Sequence, residues 1–303
     1  MSGVPEARAA TAPAADRTAA PEARRIVAAD GYPLAATLYR GSSNGTVVLI
    51  NSATAVPRRF YQRLASWLQQ NGWTAVTYDY RGIGDSKPAS LRGFAARMRD
   101  WAFLDMTAMV DWVSVEFSPC RLFAIGHSFG GQTLGLIENA SRIDAMVGVS
   151  AQSGYWAVQG GREPARVRLI VTVLIPLLSR LVGYFPWSWF ASGADLPKHV
   201  ALEWAGWCRN QHYLLDDESL PLERYARFRA PVLAYSVEDD DWGTRRAVDA
   251  MMRAYPNVTR RHIAPAEYGL PRLEHMGFFR DGSQPIWREL VEWLEEAVPL
   301  QRS

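Results

Sequence analysis

The sequence predicts an α/β protein, with a mostly parallel central sheet, helices on both faces and one helical insertion. Three observations carry this prediction. β-branched runs alternate with segments of helical spacing along most of the chain. The alternation lapses once, over 153–229, where Trp156, Trp187, Trp189, Trp204 and Trp207 lie among several prolines without strand periodicity. One apolar run also passes directly through Gly126-His127-Ser128-Phe129-Gly130-Gly131 into a further segment read as a helix.

Met1 to Arg24 is rich in Ala, Pro and Arg and has no apolar stretch, so it reads as a disordered tail rather than a signal or transit peptide. Arg25 to Ala29 and Leu34 to Tyr39 are strand-like, and Asp30-Gly31 between them marks a hairpin. Thr46 to Ile50 suits a strand buried on both faces. After Pro57, Phe60, Leu64, Trp67 and Leu68 recur at helical spacing, and Asn71-Gly72 closes that helix. Thr74 to Tyr80 is the next strand, Arg99 to Phe117 a helix, Arg121 to Ile125 a strand, Gly130 to Asn139 a helix and Ala145 to Ser150 a strand. Beyond the insertion come a strand at Val232 to Val237, a helix at Arg245 to Ala254, a last strand at Val258 to Ile263 and an amphipathic helix at Pro285 to Ala297. The expected organisation is a tail (1–24), a core (25–152 and 230–303) and a helical cap over the sheet (153–229).

Composition narrows the partners. With 33 Lys and Arg against 31 Asp and Glu, the formal charge of +2 gives no field that implies nucleic acid or an anionic membrane. A small, neutral or mildly charged molecule fits better. Cys120 and Cys208 alone support neither a disulfide framework nor a zinc site, so a reducing cytoplasm is expected. The longest apolar run, Leu169 to Leu178, is too short to cross a bilayer. Oligomeric state is not readable.

The chemistry centres on the G-x-S-x-G turn at 126–130, set between strand and helix. A serine at the tip of so sharp a turn needs a strained backbone, and glycines two residues either side remove the collisions that side chains would cause. The same turn aims the amide of Phe129, at a helix N-terminus, to where an oxyanion would form. A serine hydroxyl is a weak nucleophile without a base and an orienting acid, which must follow it in the order Ser, acid, His. His127 adjoins the nucleophile and projects elsewhere as a packing or hydrogen-bonding residue, while His199 and His212 fall in the cap. His262 lies within the last strand. His275, in the loop beyond it, is the expected base. For the acid, Glu238-Asp239-Asp240-Asp241 follows the strand ending at Val237; Asp240 is the choice, with Asp239 its close competitor. Read instead as a cation site, the run lacks other oxygen ligands. The preceding strand ends in Ser150-Ala151-Gln152, which offers no carboxylate.

Together with Asp79-Tyr80-Arg81-Gly82-Ile83-Gly84-Asp85-Ser86, Ala230-Pro231-Val232-Leu233 and Glu274-His275-Met276-Gly277-Phe278-Phe279, this turn resembles the α/β-hydrolase superfamily. More narrowly, it is similar to bacterial members grouped with serine aminopeptidase S33-like and esterase- or lipase-like hydrolases. The resemblance spans nearly the whole chain after residue 25. It implies the α/β-hydrolase fold and a Ser128, Asp240, His275 catalytic triad acting without metal or organic cofactor. Where the family often has His-Gly after the third strand, this chain has Asn51-Ser52. By position the second oxyanion amide is that of Ala53, with Thr54 its neighbour.

The expected activity is hydrolysis of a small ester, or secondarily an amide, through an acyl-enzyme. An aromatic cap suits acyl or aromatic groups, although a helical insertion of this size must also bury its own apolar faces. Acyl transfer, perhydrolysis or lyase chemistry on the same scaffold, or ligand binding without turnover, are the alternatives. Gly82-Ile83-Gly84 begins a dinucleotide fingerprint but meets Lys87, and neither a phosphate-binding Gly-Lys-Ser/Thr nor a His-Glu-x-x-His occurs.

Overall fold

The computed structural model describes residues 19–42, 45–118 and 120–299. Most of the expected tail, 1–18, lies outside these residues, but Glu22–Arg24 belong to the first strand.

Eight strands form one sheet in the order β1-β2-β4-β3-β5-β6-β9-β10. β1 (Glu22–Val27) and β2 (Pro33–Tyr39) pair antiparallel through the expected hairpin, and β2 pairs antiparallel with β4 (Thr74–Tyr78). Every remaining pairing is parallel, through β3 (Thr46–Asn51), β5 (Arg121–His127), β6 (Ala145–Val149), β9 (Val232–Val237) and β10 (Val258–Ile263). The inner strands are apolar on both faces, as helices on both sides require. Val47 and Leu49 of β3 face a core shared with Trp101 and Val110, while Val48 and Ile50 face Tyr61, Leu64 and Trp287.

Helices α1 (Gln62–Gln70), α8 (Arg245–Met252) and α9 (Gln284–Ala297) lie where helical spacing predicts them. α2 (Met98–Asp100) and α3 (Thr107–Glu116) are continuous through a π-helical turn, Trp101–Met106. The helix expected over Gly130 to Asn139 is much shorter: α4 is Phe129–Gln132, followed by 3-10 turns at Leu134–Leu136 and Ala140–Arg142. The cause lies in two tyrosines. The Tyr225 hydroxyl donates to Gln132 O (2.6 Å), that of Tyr255 donates to Gly131 O (3.0 Å), and Tyr255 Oη accepts from Gly135 N–H (3.0 Å). Side chains thus satisfy backbone groups that a longer helix would pair internally. A Cβ at Gly135 would lie 2.4 Å from the Tyr225 ring.

Between β6 and β9 the chain is mainly helical: α5 (Glu163–Leu169), a π-helical turn (Ile170–Leu174), α6 (Ile175–Val182) and α7 (Lys198–Arg209). It also holds a two-residue antiparallel ladder, β7 (Tyr184–Phe185) with β8 (Leu196–Pro197), too short to leave a period-two signal in sequence. Among the described residues no helix is long and apolar enough to cross a membrane.

Candidate active site

Ser128 sits at the end of β5 with φ +50° and ψ −118°, a conformation that side chains resist. The flanking glycines make it attainable: a Cβ at 126 would lie 2.4 Å from Gly131 Cα, and one at 130 would lie 2.3 Å from the Asn51 carbonyl. Ser128 N–H donates to Val149 O (2.9 Å), tying the turn to β6. Beside it Phe129 is buried against Tyr80 and Trp101, which stack on each other at 4.8 Å. The Asp79–Ser86 segment builds that support. Asp79 accepts from Arg58 N–H and Asp85 N–H and pairs with the Arg58 guanidinium, while Arg81 pairs with Asp30 (2.6 Å) and buried Asp105 (2.7 Å). Its role here is structural.

The two candidate acids part company. Asp239 accepts from Leu273 N–H and Glu274 N–H (both 2.9 Å), fixing the loop that leads to His275. Asp240 is buried; its Oδ2 accepts from His275 Nδ1–H (2.8 Å), and its Oδ1 from Trp242 N–H (2.9 Å) and Gly243 N–H (2.7 Å). Burial alone would raise the Asp240 pKa, but the His275 charge and these hydrogen bonds outweigh it and hold the carboxyl at about 2. Gly243 is needed at that spot, since a Cβ there would lie 2.3 Å from Asp240 Oδ2. His262 is elsewhere, hydrogen-bonded to Ser236 Oγ (2.9 Å), and exposed His212 pairs with Asp216 (2.8 Å).

Ser128 and His275 line one cavity of about 240 Å³, together with Ala53, Thr54, Trp187 and Trp242. Trp187 and Trp204 come from the insertion, so the insertion walls this cavity. The amides of Phe129 and Thr54 have no protein acceptor among the described residues. The Ala53 amide, by contrast, donates to Tyr61 Oη (2.8 Å).

That bond opens a network which pattern reading misses. His127 Nε2 lies 3.0 Å from the His275 carbonyl, which can only accept, so Nε2 carries the proton. Nδ1 then accepts from the Tyr61 hydroxyl (2.9 Å), leaving Tyr61 Oη to accept from Ala53 N–H. Every direction is fixed if His127 is neutral, and burial together with the His275 charge pushes its pKa well down. The residue before the serine thereby joins the loop after β3 to the loop carrying His275. Tyr61→Phe leaves Ala53 N–H and His127 Nδ1 unpartnered, and should cost about 1–3 kcal/mol in urea unfolding.

A family model described as serine aminopeptidase, S33 matches residues 42–212, a span that includes Ser128 and the loop after β3 and ends before Asp240. No curated protein sequence matches. Among solved structures, a soluble variant of Saccharomyces cerevisiae monoglyceride lipase in complex with a substrate analogue superposes with a TM-score of 0.65 at 15% identity, over 95% of this chain and 99% of that one. An esterase of Pyrococcus furiosus gives 0.60 at 17% identity, over 96% of each chain. A Butyrivibrio proteoclasticus protein bound to ferulic acid gives 0.60 at 16%, over 90% of this chain and 98% of that one. Similarity at such identities establishes the fold. With the family model covering more than half of its length, the chain belongs to the serine aminopeptidase S33 family of α/β hydrolases.

Proposed function

We propose that the protein is a serine hydrolase that cleaves carboxylic esters, and amides secondarily, of apolar acyl or aromatic substrates through an acyl-enzyme. The observation that carries this reading is His275, held by buried Asp240, lining the same cavity as a serine held at φ +50°. Names of structures sharing the fold, a lipase and an esterase among them, support ester chemistry.

In this reading Ser128 Oγ attacks the substrate carbonyl while His275 Nε2 takes its proton, and Asp240 holds the imidazole with its other proton on Nδ1. The oxyanion is met by the amide of Phe129 and by that of Thr54, which is free where the amide of Ala53 is engaged by Tyr61. His275 then protonates the departing alkoxide. Water, deprotonated by the same nitrogen, attacks the acyl carbonyl and releases the acid. No metal is needed for any step. The free thiols of Cys120 and Cys208 support a reducing, cytoplasmic setting.

A fluorophosphonate probe tests the assignment, with short- and long-chain acyl esters assayed in parallel. The wild-type chain should label and turn over ester, and Ser128→Ala should do neither. Labelling that survives in the alanine variant, or its absence from both proteins, rejects the reading.

A further inference from the structure

The helix built from α5, its π-helical turn and α6 is apolar on two opposite sides. Val167, Val171, Ile175 and Ser179 recur every four residues and are buried against the body of the protein. Two positions along, the same repeat sets Leu169, Val173, Leu177 and Leu181 on the other side, 52%, 46%, 51% and 71% exposed. A solvent-facing helix side ordinarily carries charge. Past α6 the chain turns at Gly183 and presents two exposed aromatics, Trp189 and Phe190.

Charge beside this stripe is lopsided although the chain as a whole is nearly neutral. Residues 162–182 hold Arg162, Arg166, Arg168 and Arg180 against Glu163 alone. Glu163 is already engaged, by Arg166 (2.9 Å) and by Trp242 Nε1–H (2.6 Å). Arg162, Arg168 and Arg180 are exposed and form no ion pair among the described residues. Leucines and valines on one side, guanidinium groups beside them and an indole at one end match a helix lying in the plane of a membrane interface. Its apolar face would sit at the acyl boundary and its cations at lipid phosphates.

The stripe also connects to the catalytic cavity. A second cavity of about 230 Å³, lined by Leu169, Leu174 and Phe190, shares Arg166, Trp187 and Ala191 with the cavity of Ser128. We propose that the outer face of α5 and α6 docks on an anionic lipid bilayer and that acyl chains pass from it along this groove to Ser128. The substrate class is then acyl esters held in a lipid phase. The passage to Ser128 rests on the serine-hydrolase reading, whereas the docking does not. An anionic bilayer is favoured over a protein partner because the stripe and the unpaired arginines flanking it are satisfied by one surface, acyl chains below phosphates.

Co-sedimentation of the full chain with extruded vesicles, of phosphatidylcholine alone or mixed with phosphatidylglycerol, tests the docking. Binding to the mixed vesicles should exceed binding to phosphatidylcholine and weaken with salt. Leu177→Glu with Leu181→Glu should weaken it at least tenfold, an order-of-magnitude expectation for two lost anchors. That variant should hydrolyse a water-soluble short-chain ester as the wild type does, while its turnover of a vesicle-embedded ester falls in step with binding. Arg162→Gln with Arg180→Gln should erase the preference for the anionic lipid. The proposal is overturned if the wild type binds neither vesicle, if both variants bind as it does, or if ultracentrifugation shows a dimer that the glutamates dissolve. Vesicle binding without turnover of any ester upholds the docking and overturns the hydrolase reading instead.

Discussion

Ser128→Ala is expected to lower kcat toward esters by about 10⁴- to 10⁶-fold with little change in KM, because what is lost is the attacking atom and not the cavity. Ser128→Gly should be as inactive, yet its effect on stability should differ. The alanine keeps a Cβ at φ +50° and with it the strain of that conformation, whereas glycine occupies the same backbone freely. The glycine variant should therefore exceed the alanine variant in stability by about 1 kcal/mol, read from urea midpoints at constant slope. Equal midpoints would show that the turn stores no strain at this residue.

Asp240→Asn should lower kcat by about 10⁴-fold while leaving the cavity its shape. Oδ1 already accepts two backbone N–H groups, from Trp242 and Gly243, so the asparagine keeps its carbonyl oxygen there and turns its NH2 toward His275. Nδ1 must then accept. The imidazole proton moves to Nε2, which can no longer take one from Ser128. Stability changes with pH in a defined sense as well. The carboxyl titrates at about 2 in the folded chain against an ordinary 3.8, so the unfolded state binds the proton first as pH falls. The resulting contribution of about 2 kcal/mol is complete above the ordinary value and is lost as pH drops through the folded one. Between pH 4 and pH 2 the wild type should lose about that much more stability than Asp240→Asn in denaturant titrations.

The fold was legible because buried parallel strands are short, apolar and bounded. Val232–Val237 and Val258–Ile263 are the strands that the pattern predicts, residue for residue. At the site, the glycines around Ser128 carry a local steric demand, so sequence alone suffices to place the turn. What escaped depends on partners distant in the chain. The helix after the turn ends early because of hydroxyls more than ninety residues away, at Tyr225 and Tyr255. Asp239 and Asp240 differ only in which loop group each faces. The Ala53 amide is engaged by a tyrosine eight residues on, a relation that a positional match to a family cannot convey. The exposed leucines were visible as an apolar run, but spacing does not say which of two opposite faces meets solvent, and a net charge averages away a local excess of arginine.

The tyrosine hydroxyls that cut α4 short bear on how far this protein is modular. One comes from the segment that follows α7 and the other from the turn between α8 and β10, yet both end on the carbonyls one helical turn beyond Ser128. The insertion is therefore not an interchangeable lid set upon a finished core, because a strut from its far end helps position the turn that carries Ser128. Grafting a different lid onto this chain would have to retain the Tyr225 strut along with the new walls, and recombination between family members at the edges of 153–229 would separate the serine from part of its own support.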